Sequence, residues 1–352
     1  MSSDFTSPAA SLPRIACVIP SYKVRDHIFS VLGKIGSEVS LIYVVDDCCP
    51  VQSGKLVEDQ CEDSRVKVIY NQQNMGVGGA VLAGYRAAIA DGADVIVKID
   101  GDDQMDPALV PQFVAPILTG EADYVKGNRF FNPEALSQMP FVRIFGNSCL
   151  SFLAKMSSGY WHLFDPTNGY TAIHAKVAEL LPMEKISRRY FFETDILFRL
   201  NCLNAVAVDL PMTASYGDEV SNLKIHKIIP EFLAKHARNT AKRFFYKYLI
   251  RDFSIATVEF FCGIALTTFG LFYGIFRWNE SVNGFPATAG AVMLAALPLM
   301  IGIQLLLAFL NYDIQTSPKR ALHPSLLSRL RMVQNIAPSA ASKPSQIALP
   351  HE

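Results

Sequence analysis

Four carboxylates fall within seven positions of the stretch VKIDGDDQMDP at residues 97–107: Asp100, Asp102, Asp103 and Asp106. Like charges at ~4 Å repel by about 1 kcal/mol in water, and by more beside a low-dielectric wall, unless a cation sits between them. A bound metal answers that repulsion, and so does a loop solvated on all sides. An EF-hand loop beginning at Asp100 needs Gly at its sixth position and Glu at its twelfth. Met105 and Pro111 stand there instead. A dinucleotide site would draw on MGVGGAVLAG, with Gly76 and Gly78 in place and Asp100 about twenty positions on. Val81, however, takes the third glycine position, and residues 71–75 separate the strand from the glycines. The remaining chemistry is a divalent ion, Mg²⁺ or Mn²⁺, on a diphosphate. Asp100 and Asp102, brought together by a tight turn at Gly101, supply hard oxygen ligands, and Gln104 supplies a neutral one. On these residues alone the solvated loop stays open.

The elements that would position this loop alternate along the chain. RIACVIP, VSLIYVVDD, RVKVIYN and DVIVKID are β-branched runs without strict alternation, as expected of strands covered on both faces. Helical spacing fills the segments between them. That order predicts an α/β fold with a doubly wound, Rossmann-like parallel sheet. Ligands of such sheets bind beyond the carboxyl ends of the strands, which is where Asp46, Asp47 and Asp100 fall.

The rest of the chain is of a different kind. Its 352 residues carry Lys+Arg 32 against Asp+Glu 32, so no net charge points to nucleic acid, yet 50% are hydrophobic. Much of that excess lies in two runs, residues 255–276 and 287–310. The first holds one charge, Glu259, and the second none. At about 1.5 Å per residue each is long enough to cross a hydrocarbon core of about 30 Å as a helix. Lys242, Arg243, Lys247 and Arg251 precede the pair, and Lys319, Arg320, Arg329 and Arg331 follow it. The connecting turn carries Arg277 as its only base, so both long ends are expected on the cytoplasmic side. Residues 226–252 interleave bases with Phe and Leu, the pattern of an amphipathic helix on anionic membrane lipid. Gly263, Ala265, Gly290 and Ala291 are small enough for helix packing and a homo-oligomer. The polar start has no apolar core, so it does not read as a secretory signal. Seven cysteines without C-x-x-C spacing fit a reducing compartment. The expected organisation is a disordered 1–13, an α/β domain over 14–225, amphipathic basic juxtamembrane helices over 226–252, the hairpin over 253–312, and a largely disordered cytoplasmic tail over 313–352.

The segments VIPSYKV, VVDDCCP, NMGVGGAVLAGYRAA, IDGDDQMDP and KGNRF, in this order, resemble glycosyltransferase family 2, and within it the polyprenyl-phosphate (dolichol-phosphate mannosyltransferase-like) sugar transferases. The resemblance covers residues 14–224 and is most specific at D-x-D-x-Q. It implies a GT-A (Rossmann-like) nucleotide-sugar-binding domain, here followed by a two-helix transmembrane hairpin. It further implies an inverting hexosyl transfer from GDP-mannose or a UDP-hexose to polyprenyl phosphate.

Carried over by position, Pro20, Tyr22 and Asp46 or Asp47 line the nucleotide pocket. Asp100, Asp102 and Gln104 hold the metal, and Arg129 faces the diphosphate. FDPTNGYTAIHAKV resembles the family's D-x-x-x-G-F element, giving Asp165, Asn168 and Gly169 near the acceptor. FFETDILFRL resembles its acidic helix, giving Glu193 and Asp195; on spacing alone that helix shows its charges to water. The chain departs from the pattern at Lys23-Val24, where the family usually has Asn-Glu. It departs again at Ala214, where the eukaryotic branch has arginine. Lys224, Arg188 and Arg189 are the remaining cations for an acceptor phosphate. The rival classes are a processive polysaccharide synthase, whose Gln-x-x-Arg-Trp element does not occur here, and a non-catalytic membrane scaffold.

Overall fold

The structure, a computed structural model, describes residues 12–131, 141–212 and 225–336. Strands β1 (Ile15–Ser21), β2 (Val39–Asp46), β3 (Val66–Tyr70) and β4 (Val95–Lys98) are parallel, and β1 and β4 are buried almost throughout. Helices α1 (Ile28–Lys34), α2 (Ser53–Gln60) and α3 (Val77–Ala90) connect them, and α4 (Val110–Leu118) follows β4. Three further strands extend the sheet: β5 (Tyr124–Asn128), β6 (Thr171–His174) and β7 (Ala207–Pro211). The seven-stranded order is β3-β2-β1-β4-β6-β5-β7.

One expectation is corrected here. The sheet is mixed, because β6 runs antiparallel to both β4 and β5. Helix α5 (Phe141–Ser158) and the segment after it bring the chain back so that β6 enters from the far end. Four buried residues without alternation carry no mark of strand direction. The reversal sets Lys98, Thr171 and Lys126 side by side, since Thr171 pairs with Lys98 on one flank and Lys126 on the other.

After β6 come α6 (Ala175–Glu179) and α7 (Phe192–Cys202), and beyond β7 lies α8 (Ile225–Phe244). A π-helical turn over Phe245–Arg251 leads into α9 (Ile255–Val282), which pairs with α10 (Ala289–Gln315). These two helices have mean hydropathies of 1.8 and 2.4, and only 22% and 11% of their most apolar windows are buried. They are therefore candidate membrane spans and not core helices of a soluble domain. Gly302 lets them touch, since a Cβ there would lie 2.5 Å from Thr267 N and 2.9 Å from Gly263 O. Gly263 thus serves contact within one chain and gives no argument for a second copy.

Two expectations about the flanks also change. Arg243, read as facing lipid, is buried and bidentate on Asp313, with both N–O distances 2.7 Å. Lys247 Nζ lies 3.3 Å from the same carboxylate, Tyr248 donates to it, and Trp161 Nε1 of the catalytic domain donates to it at 2.9 Å. A buried aspartate at the end of α10 requires such partners, because an uncompensated charge there would be costly. Within the tail expected to be largely disordered over 313–352, α11 (His323–Ile336) is helical, and the stretch from residue 337 lies outside the described residues. Asp123, just before β5, receives Leu322 N, His323 N and His323 Nδ1 at 2.7–2.9 Å.

Burial pushes two histidines down from 6.5 to about 4: His174, stacked on His323 at 4.2 Å, and His236, whose Nδ1 lies 2.8 Å from Ser157 Oγ. Between those pH values the unfolded chain binds more protons than the folded one. The stability these histidines lend is whole above 6.5 and is lost as pH falls toward 4. Melting temperature in detergent should decline across that window. The combined His174→Gln and His236→Gln variant should show a shallower decline, and equal slopes for variant and wild type would contradict the assignment.

Candidate active site

The carboxyl ends of β1, β2 and β4 share one edge of the sheet, and the acidic loop follows β4 there. Its four carboxylates separate into two groups. Asp103 is held by Lys34 Nζ and Ser30 Oγ, both at 2.7 Å, and Asp106 caps the next turn through Ala108 N at 2.9 Å. Asp100 and Asp102 face the rim. Gly101 between them is buried against Val24 and Ile19, where a Cβ would lie 3.1 Å from Val24 Cγ2. Asp102 Oδ1 accepts Gln104 N at 3.2 Å, which folds the turn over Gln104. Two half-exposed carboxylates with an adjacent amide form a hard-oxygen set suited to Mg²⁺ or Mn²⁺ when diphosphate and water complete the shell. Among the described residues no group of three or more His, Cys, Asp or Glu offers a fuller cage.

Beneath the pair lies a floor whose two lysines sequence reasoning missed. Lys98 is fully buried, with Nζ 2.8 Å from Asp100 Oδ1 and 3.4 Å from Glu193 Oε1. Burial disfavours its charge, but Asp100 and Glu193 more than offset this, and its pKa stands above the ordinary lysine value. Glu193 is pushed up, chiefly by burial. Lys126, equally buried, donates to Asn168 O and is pushed down to about 8, again mainly by burial. The available signal was a lysine inside an apolar strand, in DVIVKID and in YVKGN; strands covered on both faces have no solvent for such a side chain.

Gly169 completes the floor. A Cβ there would sit 2.3 Å from Asp100 Oδ2 and 2.4 Å from Lys98 Nζ, so only glycine lets the backbone pass. Gly169→Ala should reduce turnover by about 10²-fold, the cost of displacing a reacting group by ~1 Å. Steady-state rates beside an unchanged circular dichroism spectrum would test this; wild-type rates would show that the cradle is slack.

The other expected residues are placed less uniformly. Pro20 is the penultimate residue of β1, and Tyr22 just past the strand is 43% exposed, open to a flat ligand. Asp46 and Asp47 are buried and bound to their own loops. Asp46 accepts Cys49 N and Gly54 N, both at 2.7 Å, and Asp47 accepts Asn71 Nδ2, Met75 N and Gly76 N at 2.7–2.8 Å. They shape the rim, the second by holding the Met75–Gly76 turn that leads into α3.

Arg129 is clasped by Asp165, with Nε–Oδ2 at 2.7 Å and Nη2–Oδ1 at 2.8 Å. Burial alone would raise Asp165, but Arg129 reverses this and holds its carboxyl below the usual range. Asn168 Nδ2 lies 3.3 Å from Asp165 Oδ2. Asp195 turns away from the acidic loop. It accepts Asn239 Nδ2 of α8 at 2.9 Å and Ser187 N at 2.8 Å, so it ties α7 to the juxtamembrane helix. The reading of α7 as showing its charges to water is corrected as well, since Glu193 and Asp195 are both buried. Arg188 and Arg189 are exposed beside Gly76. Lys224 and Ala214 lie outside the described residues.

The family model for glycosyl transferase family 2 matches residues 18–181. Undecaprenyl-phosphate mannosyltransferase of Micrococcus luteus is 30% identical over 57% of this chain and 83% of that protein. UDP-N-acetylglucosamine–dolichyl-phosphate N-acetylglucosaminyltransferase of Methanococcus voltae is 29% identical over 54% of this chain and 82% of that protein. Among solved structures, glucosyl-3-phosphoglycerate synthase of Mycobacterium tuberculosis superposes with a TM-score of 0.48 at 20% identity, over 66% of this chain and 79% of that one. The chain belongs to glycosyl transferase family 2. It is a glycosyltransferase with a GT-A-like mixed α/β fold, and its two apolar C-terminal helices are candidate membrane spans.

Proposed function

We propose that this protein transfers a hexose, with inversion, from a nucleotide-sugar to a polyprenyl phosphate at a membrane surface. The observation that carries the reading is an apolar cavity of about 770 Å³ at the juxtamembrane end of the hairpin, lined by Leu153, His236, Phe244, Tyr248, Phe260 and Phe261 among others, in a chain whose sheet edge carries the acidic rim. It opens beside α5, α8 and the first span, and its lining suits an isoprenoid chain. Ile229, Leu233, Phe245, Leu249, Ile250 and Phe253 extend an exposed apolar surface along the same juxtamembrane segment. This supports membrane contact through apolar residues more than through the basic ones, so a role for anionic lipid rests on the exposed Arg238 and its neighbours. Charges flanking the spans support a cytoplasmic catalytic domain and tail, in a bacterial inner membrane.

Asp100, Asp102 and Gln104 would hold Mg²⁺ or Mn²⁺, which neutralises charge on the departing nucleotide diphosphate. Tyr22 and the loops held by Asp46 and Asp47 take the nucleotide. Asp165 fixes the Arg129 guanidinium, which stabilises negative charge at the diphosphate as the glycosidic bond breaks. A phosphate monoester has a second pKa of about 6, so the acceptor oxygen is already largely ionised near neutral pH. No strong base is then required, in keeping with Asp165 and Asp195 being occupied by Arg129 and Asn239. The M. luteus and M. voltae relatives bear mannosyl and N-acetylglucosaminyl names, which supports GDP-mannose or a UDP-hexose as donor.

The test is incubation of purified protein with radiolabelled nucleotide-sugars, Mn²⁺ and undecaprenyl phosphate. A short, organic-soluble, mild-acid-labile product is expected. Polymer would point to a processive synthase, and no turnover with any donor would point to a scaffold.

A further inference from the structure

We propose that Lys98, braced by Glu193, is the positioning residue that sets both the orientation and the charge of Asp100, and thereby competes with the divalent cation for that carboxylate. The inference rests on the metal-dependent reading of the acidic rim. A buried ammonium persists only where its partners are good. Both close partners of Lys98 are carboxylates, one on the rim at 2.8 Å and one in the floor at 3.4 Å. Its strand register fixes it beside Thr171, and the absence of a side chain at Gly169 lets it reach Asp100. Without Lys98, Asp100 and Glu193 would be two carboxylates sharing a buried niche with no cation between them. With it, Asp100 is aimed but partly neutralised, so an incoming cation meets a resident positive charge on the oxygen set it needs.

Charge and architecture make opposite forecasts, which permits a clean test. Mn²⁺ binding is measured by electron paramagnetic resonance of free Mn²⁺, with UDP and separately GDP present at fixed concentration and a protein-free control, for the wild type, Lys98→Met, Glu193→Gln and the double variant. If Lys98 acts through charge, Lys98→Met binds Mn²⁺ about tenfold tighter or more, from removal of one unit charge within ~4 Å. Glu193→Gln then binds more weakly, and the double variant, with no net charge change, returns near wild type. Lys98→Met and the double variant should nevertheless turn over more slowly, because Asp100 is no longer aimed. Weaker or unchanged Mn²⁺ binding by Lys98→Met, with a native circular dichroism spectrum, overturns the proposal. Should that variant not fold, the neutral double variant decides: near-wild-type affinity with slowed turnover supports the proposal, and weakened affinity overturns it. Failure of the wild type itself to bind Mn²⁺ removes the metal-dependent reading and this inference with it, an outcome distinct from a wrong order among variants that bind.

Discussion

Asp102→Ala is expected to lower turnover by about 10²-fold or more at saturating donor, the loss typical of removing one electrostatic stabiliser from a reacting centre. Asp102 is half-exposed at the rim, so the substitution should leave melting temperature close to wild type. The informative control is Asp103→Ala in the same loop. Asp103 is bound to Lys34 and Ser30, and an ion pair of that kind contributes only about 0–1 kcal/mol, so its loss should change turnover little. A solvated acidic loop without metal would make the two variants equivalent. Initial rates under identical conditions separate these outcomes, and near-native activity of Asp102→Ala would remove the argument for a clamped diphosphate.

The largest effect on stability is expected at the foot of the second span. Asp313→Ala leaves Arg243 buried and without its carboxylate, which should cost about 3–5 kcal/mol. Replacing both partners, as Arg243→Met with Asp313→Leu, should recover much of that loss, since apolar side chains of similar size need no counter-charge. Thermal unfolding in detergent measures both. If the double variant were no more stable than Asp313→Ala, the damage would lie in lost packing, with Trp161, Tyr248 and Met156 O deprived of their partners.

Local features of the chain were legible in proportion to how local their causes are. Strands β1 to β4 and their helices follow from β-branched runs and helical spacing, and the acidic loop at the end of β4 follows from its own charges. The spans follow from length and apolarity. What escaped depends on partners far along the chain. The direction of β6 is decided by how α5 and the segment after it return to the sheet, and no pattern within TAIH reports it. Arg243 reads as an interfacial base until Asp313, 70 residues later, is brought against it. The tail reads as solvent-borne until Asp123, 200 positions earlier, receives His323. In α7 both acidic residues are buried, but side-chain direction separates them: Glu193 lies under the rim and Asp195 against α8. Lys98 and Lys126 stood in plain view inside apolar strands, and a charge in such a place is a stronger signal than its single letter suggests.

Asp313 and His323 sit on either side of the chain's exit from the hairpin, and each is fastened to the catalytic domain, one through Trp161 and the other through Asp123. A head on one tether can swivel and bob above a bilayer; a head moored at two points, with Arg243 of the inbound helix sharing the first mooring, has its height and azimuth fixed. On the proposed reading, the rim would then hold one standing distance from the lipid plane. A substrate restricted to that plane would glide to it, and bilayers of different thickness would tilt the whole particle as one piece without flexing its neck.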